Sequence, residues 1–322
     1  MKISYRLFLF TVGGKFLISR FQHLSMPLNN LKWLYLILLS LVWGSSFILI
    51  KKGLLGLSAL QLGSFRIISA ALFLVIVGSK SLRGLSISQW KWLFISAFLG
   101  SFFPIYLFAF AETEIDSAIA SILNSTTPLM TLIFGVLFFG ISFTQNKGLG
   151  VVIGLIGAIG LIFSGAEVNP DQNYLYSALV IIAAACYAIN VNIIKRYMAD
   201  ISALGIATGN FLILLLPSLI ILFTTGFSFS EIEENGVLSM SLIYVAILGV
   251  VGTGIAMIIF NKLIQISDPV FSTSVTYTIP LVALVWGFLD GEEFSFLQLL
   301  SAAVILIGVF LVNRVKNIYS RK

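Results

Sequence analysis

Long apolar blocks alternate along this chain with short polar gaps. Ten blocks read as helices: Trp33–Ile50, Leu60–Val77, Trp90–Ala111, Ala118–Gly140, Leu149–Phe163, Leu175–Ile194, Leu204–Thr224, Leu242–Leu263, Val270–Leu289 and Leu297–Val312. A run of roughly 17 to 25 apolar residues crosses a hydrocarbon core of about 30 Å as a helix. The fifth block is short and glycine-rich, which leaves its ends the least defined. The pattern predicts an all-α polytopic membrane protein with ten transmembrane helices.

Charge sorts between the gaps. Of nineteen Lys and Arg, all but Lys51, Lys52 and Arg66 fall at the termini or in one alternating set of gaps. Of thirteen Asp and Glu, all but Asp200 and Asp268 fall in the other set. Lys and Arg beside apolar spans stay on the cytoplasmic side. The basic gaps are therefore read as inside, the acidic gaps as outside, and both termini as cytoplasmic, in a cell (inner or plasma) membrane. Arg66 alone among the charged residues lies within a span and away from its ends.

Composition agrees with that reading: 59% hydrophobic, 10% charged, mean hydropathy +1.06, against about 25% charged in a soluble domain. The formal charge of +6 is then an orientation signal and inner-leaflet attraction rather than a footprint for nucleic acid. Cys186, inside a span, allows no intrachain disulfide and no cysteine metal site, and is read as packing. His23 precedes the first span, which excludes a histidine cluster. No metal or cofactor is expected. The lipid bilayer and a small-molecule substrate are the partners implied; oligomeric state is not encoded.

Residues 1–26 form a basic leader or a mis-assigned start. Leu7–Val12 resembles a short signal core without a clear cleavage site; the segment either lies on the inner leaflet or translation starts at Met26. Beyond it the chain repeats. Asp116-Ser-Ala-Ile-Ala-Ser121 leads to Pro128 and Gly135, and Asp268-Pro-Val-Phe-Ser-Thr273 leads to Pro280 and Gly287 at the same spacings. Trp43–Lys52 parallels Tyr187–Arg196, and Ile156-Gly157 parallels Ile307-Gly308. The predicted repeats are 27–165 and 166–322, the second with a basic tail. Five helices per unit is odd, so the second copy must enter the membrane from the opposite side. Such inverted repeats recur in secondary transporters, with the substrate site near the midplane.

With these features the chain resembles the EamA-type members of the drug/metabolite transporter superfamily, over roughly Leu31 to Arg314. The likeness is carried by Trp43-Gly44-Ser45-Ser46-Phe47, by Arg66, and by Ala120-Ser121-Ile122-Leu123-Asn124-Ser125-Thr126-Thr127-Pro128. Thr278-Ile279-Pro280-Leu281, acidic Gly291-Glu292-Glu293 and the glycine-bearing fifth and tenth spans complete it. The resemblance implies a ten-helix permease or exporter of small metabolites, often amino acids or drugs, with a central cavity and no fixed substrate.

Candidate residues follow from polar or awkward chemistry at membrane depth. Pro128 and Pro280 each remove a backbone donor in mid-span, either as packing kinks or as matched hinges that expose Asn124–Thr127 and Thr276–Ile279. Arg66 is costly there unless it snorkels toward Glu112 or Glu114, or faces a cavity and attracts a substrate carboxylate or phosphate. Asn124, Asn190 and Asn192 serve interhelical hydrogen bonds or substrate. Trp43, Tyr106, Tyr187, Tyr277 and Trp286 suit an aromatic wall, with hydroxyls from Ser45, Ser46, Thr273 and Thr276. Gly150, Gly154, Gly249, Gly252 and Gly254 are read as close-packing surfaces, and Asp116 and Asp268 as helix caps. The substrate-contact set is thus Trp43, Ser46, Arg66, Tyr106, Asn124, Tyr187, Asn190, Thr276 and Tyr277.

No predicted span contains Asp or Glu, so an intramembrane carboxylate relay is absent, and no phosphate-binding Gly-x-x-x-x-Gly-Lys-Ser/Thr loop occurs. Two energy schemes remain: facilitation or exchange with a counter-substrate, or proton coupling through Glu112, Glu114 or Asp116. Catalytic residues are not expected. The competing classes are an intramembrane enzyme on lipid-linked substrates and a membrane protein that transports nothing.

Overall fold

A computed structural model describes residues 28–140, 149–150, 152–154, 156–157, 159–160, 163–164, 171–228, 230, 232 and 235–314. The leader, the start at Met26 and the tail beyond Arg314 lie outside them. The regular structure of the described residues is all helical, joined by turns and short loops, with no strand among them. Eight helices are long and apolar enough to cross a membrane: Asn30–Gly53, Ala59–Leu82, Ile87–Ala111, Ser117–Phe139, Tyr174–Tyr197, Ala203–Thr224, Gly236–Ile266 and Pro269–Leu289. The ninth, Phe296–Arg314, has a shorter apolar stretch. Of the predicted fifth block, those residues that are described are helical.

The elements are α1 (Leu28–Gly53), α2 (Ala59–Gly78), α3 (Ile87–Ala97), α4 (Phe103–Ala111), α5 (Ser117–Asn124) and α6 (Thr127–Phe139). After the glycine-rich block come α7 (Ser177–Tyr197), α8 (Ala203–Thr224), α9 (Gly236–Gly249), α10 (Ala256–Ile266), α11 (Pro269–Thr273), α12 (Ile279–Leu289) and α13 (Phe296–Arg314). Helix starts obey local chemistry. Ser58 and Ser86 form capping boxes with Gln61 and Gln89, satisfying amide donors that a helix start leaves open. Asp268 caps α11 by accepting from Phe271 N at 2.9 Å, as expected. Asp116 does not: its carboxylate accepts from Gln172 Nε2 at 2.7 Å, so it ties the α5 entrance to a neighbouring loop instead of closing the helix.

Packing is pairwise. α2 lies against α8, and α1 against α12 as α6 lies against α7. α1 also meets α10 as α4 meets α7, and α2 meets α9 as α3 meets α8. Each of these contacts thus has a counterpart in which the halves of the chain exchange roles, or is its own counterpart. The glycines permit close approach: a side chain at Gly308 would strike the backbone of Gly150 and Gly154, the contact expected of small surfaces on membrane helices. Large apolar side chains such as Ile76, Phe223 and Phe288 face outward, which suits lipid and would be a liability in water.

Candidate functional site

Four irregularities in otherwise regular helices converge on one cavity. The third span widens into a π-helical turn at Phe98–Phe102, between α3 and α4. The span Gly236–Ile266 does the same at Val250–Ile255, between α9 and α10. The fourth span breaks between α5 and α6, where Pro128 lies in the first turn of α6. The span Pro269–Leu289 passes through a 3-10 turn, Ser274–Tyr277, and Pro280 lies in the first turn of α12. Proline fits there because an N-terminal N–H has no partner within its own helix. Hydroxyls take up the carbonyls that each break leaves: Thr127 Oγ1 donates to Asn124 O at 2.7 Å and Thr276 Oγ1 to Thr273 O at 2.9 Å.

The cavity between these features holds about 90 Å³ for the centres of water-sized bodies, room for several waters or a compact solute. Of the expected contacts, the structure brings together Trp43, Ser46, Arg66, Asn124, Tyr187, Asn190 and Thr276. Tyr106 lies outside the lining: its hydroxyl sits 2.9 Å from Ser64 Oγ and its ring packs over Gly63. Tyr277 is likewise outside, packed against the core. Pro128 and Pro280 each follow a lining residue, Thr127 and Ile279. Trp286 donates to Ser45 at 3.0 Å at an exposed position away from the cavity. Asn192 donates to Thr131 O and Ala188 O, a purely structural use.

The sequence reading missed Gly100, Ser101, Thr253, Met257, Phe108 and Phe260, which also line the cavity. A signal for them existed. Carried upstream, the Asp116/Asp268 register pairs Gly100-Ser101 with Gly252-Thr253, Ile105 with Met257 and Phe108 with Phe260. It also pairs Asn124 with Thr276 and Thr127 with Ile279. The Trp43/Tyr187 register pairs Ser46 with Asn190 and Phe47 with Val191. Every one of these residues lines the cavity. Three lining residues break the rule: the register partners of Ile50 and Thr273, Ile194 and Ser121, lie outside the lining, and that of Arg66 is Asn210, buried beside Ser96 and also outside it.

Local bonding explains the widened turns. Gly252 O accepts from Trp43 Nε1 at 3.0 Å. Thr253 Oγ1 donates to Leu248 O at 3.0 Å and accepts from Arg66 Nε at 2.8 Å. Gly100 leaves room for the Asn190 amide, which a Cβ would strike. Arg66 is only 8% exposed, so it does not snorkel to the surface.

At the end of the bundle predicted to lie outside, directly after lining residue Ile50, sits an ionic cluster. Lys51 Nζ is 2.9 Å from Glu292 Oε1 and 3.1 Å from Asp290 Oδ2, and Lys52 pairs with Asp290. Gly291, at φ +84°, ends α12 and returns the Glu292 N–H to Gly287 O at 2.9 Å, a closure that suits glycine. Burial raises the Glu292 carboxyl above the usual carboxylate range despite Lys51. Asp290 is also pushed up by burial, but the hydrogen bonds and charges of Lys52 and Lys51 win and hold it low. Glu112 is buried and accepts from Ser117 Oγ at 2.8 Å. Burial, with the like charge of Glu292, holds its carboxyl well above the ordinary range against Ser117, Arg66 and Lys51. Among the described residues no group of His, Cys, Asp and Glu is placed to hold a metal ion.

Comparison with known proteins agrees with this architecture. The EamA-like transporter family matches residues 31–163 and 175–314. A protein of Escherichia coli K12 named "Uncharacterized inner membrane transporter YedA" is 26% identical over 289 residues, covering 88% of this chain and 91% of that protein. "Uncharacterized transporter YdfC" of Bacillus subtilis is 27% identical over 287 residues, 86% of this chain and 90% of that one. Bovine "Solute carrier family 35 member F5" is 29% identical over 218 residues, 65% of this chain and 40% of its own length. A solved structure superposes with TM-score 0.64 at 16% identity, covering 88% of this chain and 96% of the other, a likeness of fold alone. The family match spans nearly all of the described chain, and with it the chain is a multi-pass membrane protein belonging to the EamA-like transporter family.

Proposed function

We propose that this protein is a secondary permease or exporter of small metabolites, amino acids or related amphipathic compounds among them. It works by alternating access at the central cavity, between two five-helix repeats of opposite orientation. Ten spans, with both termini cytoplasmic, complete the reading. One observation carries it: all the lining residues but Ile50, Arg66 and Thr273 fall in pairs at two fixed registers, and each pair draws one member from each half. Two halves related by an in-plane two-fold can exchange conformations, so a site built from both opens first to one side and then to the other. The matched breaks at Pro128 and Pro280 are the hinges, because they interrupt the same span of each half beside the cavity.

Side-chosen labelling tests this. In a Cys186→Ser background, Asn124→Cys and Thr276→Cys should react with a membrane-impermeant thiol reagent from either face, with substrate shifting the balance between faces. No reaction from either face would remove the cavity from the transport path. For the energy source, facilitation or exchange is favoured, since the carboxylates available for proton coupling (Glu112, Glu114, Asp116) lie past the span ends. Counterflow of labelled solute in proteoliposomes without a pH gradient is the expected result; strict dependence on a gradient would move the assignment to proton coupling.

A further inference from the structure

We infer that the transported solute carries one carboxylate and docks it on Arg66, so that this residue sets both the charge class and the orientation of the cargo. The inference rests on the transport reading above and adds the chemistry of the substrate.

Arg66 is the one charged residue in the cavity lining. Among the described residues no carboxylate lies within ion-pair distance of it; the salt bridges present all belong to Lys51 and Lys52. A guanidinium carries five N–H donors in a rigid fork. Among the described residues only its Nε has a protein partner, Thr253 Oγ1 at 2.8 Å, while the Thr253 hydroxyl hydrogen goes to Leu248 O. The fork is therefore anchored at Nε, and its remaining donors are without a partner among the described residues. A buried charge at membrane depth is costly unless it is paired. Glu112 acts on it only through its charge from beyond ion-pair distance, its Oε2 accepting from Ser117 Oγ.

The count of charges selects among anions. One guanidinium neutralises one negative charge, and its flat fork matches a carboxylate in bidentate fashion. A phosphate monoester would bring about 1.5 to 2 negative charges to a cavity with no second cation. Two buried polar atoms in the same lining, Asn190 Oδ1 and Ser101 Oγ, have no hydrogen-bond partner among the described residues. Asn190 Oδ1 can only accept, so it suits an ammonium or hydroxyl on the cargo. Much of the remaining lining is aromatic and aliphatic. An amphipathic monocarboxylate with a donor near its acid group, an α-amino acid or α-hydroxy acid, satisfies all three surfaces. Since Asn210 replaces Arg66 in the second half and lies outside the lining, the acid group has one seat and the cargo one orientation.

The test is binding to purified protein in nanodiscs, by calorimetry, of L-leucine, L-phenylalanine and 4-methylpentanoate. Leucine methyl ester, 3-methylbutylamine and butyl phosphate serve as contrasts. At least one carboxylate should bind, and each contrast should bind roughly 10- to 100-fold more weakly, the range of a lost charge-assisted hydrogen bond. Arg66→Gln should weaken the acids by the same factor and move the ester by less than about threefold. Thr253→Val should shift the acids the same way in smaller measure, with Thr253→Ser restoring them; a merely structural Thr253 would affect acid and ester alike. Ester or amine binding as tightly as the acid, tighter binding of butyl phosphate, or silence of every carboxylate overturns the inference. Counterflow separates the two readings: movement of the amine but not the acid sinks the carboxylate seat and keeps transport. Arg66-dependent acid binding without any counterflow does the reverse.

Discussion

Replacing Lys51 with Met removes a charge and keeps most of the aliphatic stem. The side chain of Glu292 is 1% exposed and that of Lys51 33%. Without Lys51, Glu292 keeps only the Ala118 N–H, at a long 3.4 Å, whereas Asp290 retains Lys52. Breaking a fully buried ion pair costs about 3–5 kcal/mol, and an exposed one about 0–1. With one partner sealed and the other a third exposed, Lys51→Met should cost about 2 kcal/mol near neutral pH. The cost depends on pH. The Glu292 carboxyl is already raised by burial against the pull of Lys51, and losing that cation raises it further. A raised carboxyl pKa means that the folded state holds the proton more tightly than the unfolded chain. The penalty is thus absent below the unfolded value, about 4.3, and grows as pH climbs through the folded value. Unfolding by SDS titration in mixed micelles at pH 5, 7 and 8 should show Lys51→Met close to the parent at pH 5 and furthest from it at pH 8. Adding Glu292→Gln should restore most of the loss. A cost independent of pH, or a double variant as weak as the single one, would refute the assignment of Glu292 as the stranded charge.

Glu112 obeys the same sign: its raised carboxyl makes the parent lose stability as pH rises above about 4.3, so Glu112→Gln should flatten that slope and gain about 1 kcal/mol or more at pH 8. An unchanged slope in the same titration contradicts the buried acid. Gly100→Ala should cost about 1–3 kcal/mol by overpacking against the Asn190 amide, and Asn190→Ala in the same chain should recover at least half; full additivity would show that the two do not touch. Pro128→Ala returns a donor to the break in the fourth span, so helix should run on past Asn124. Carboxylate binding should then stay within about threefold while counterflow slows about tenfold, as expected of a hinge; equal losses in both would remove the hinge role.

The spans were legible because a membrane helix announces itself by length and greasiness alone. The block read as Leu204–Thr224 is the helix Ala203–Thr224, and Val270–Leu289 is the span Pro269–Leu289. Which face of each helix points inward was much less legible. A soluble helix marks its buried side with a polar opposite, but Phe103–Ala111 is apolar all round, so nothing in its pattern separated Phe108, which lines the cavity, from Tyr106, which does not. Polar outliers fared better: Arg66, Asn124 and Asn190 all reached the cavity, because a polar group at that depth needs a polar neighbour. The widened turns left no composition signal beyond three glycines, Gly100, Gly252 and Gly254. Asp116 was misread as a cap because its actual partner, Gln172, is remote in sequence.

The two π-helical turns carry a consequence for how this chain tolerates length changes. A turn closed by i to i+5 bonding holds an extra residue, and one residue is about 100° of rotation along an α-helix. Deleting a single amino acid from Phe98–Phe102 would allow regular winding to resume and swing everything downstream by that angle. Ile105 and Phe108 would rotate away from the cavity and other flanks of the same oily rod would replace them, with hydropathy barely altered. At this position the inner surface is set by phase, and a one-codon deletion would rewrite it more thoroughly than most substitutions.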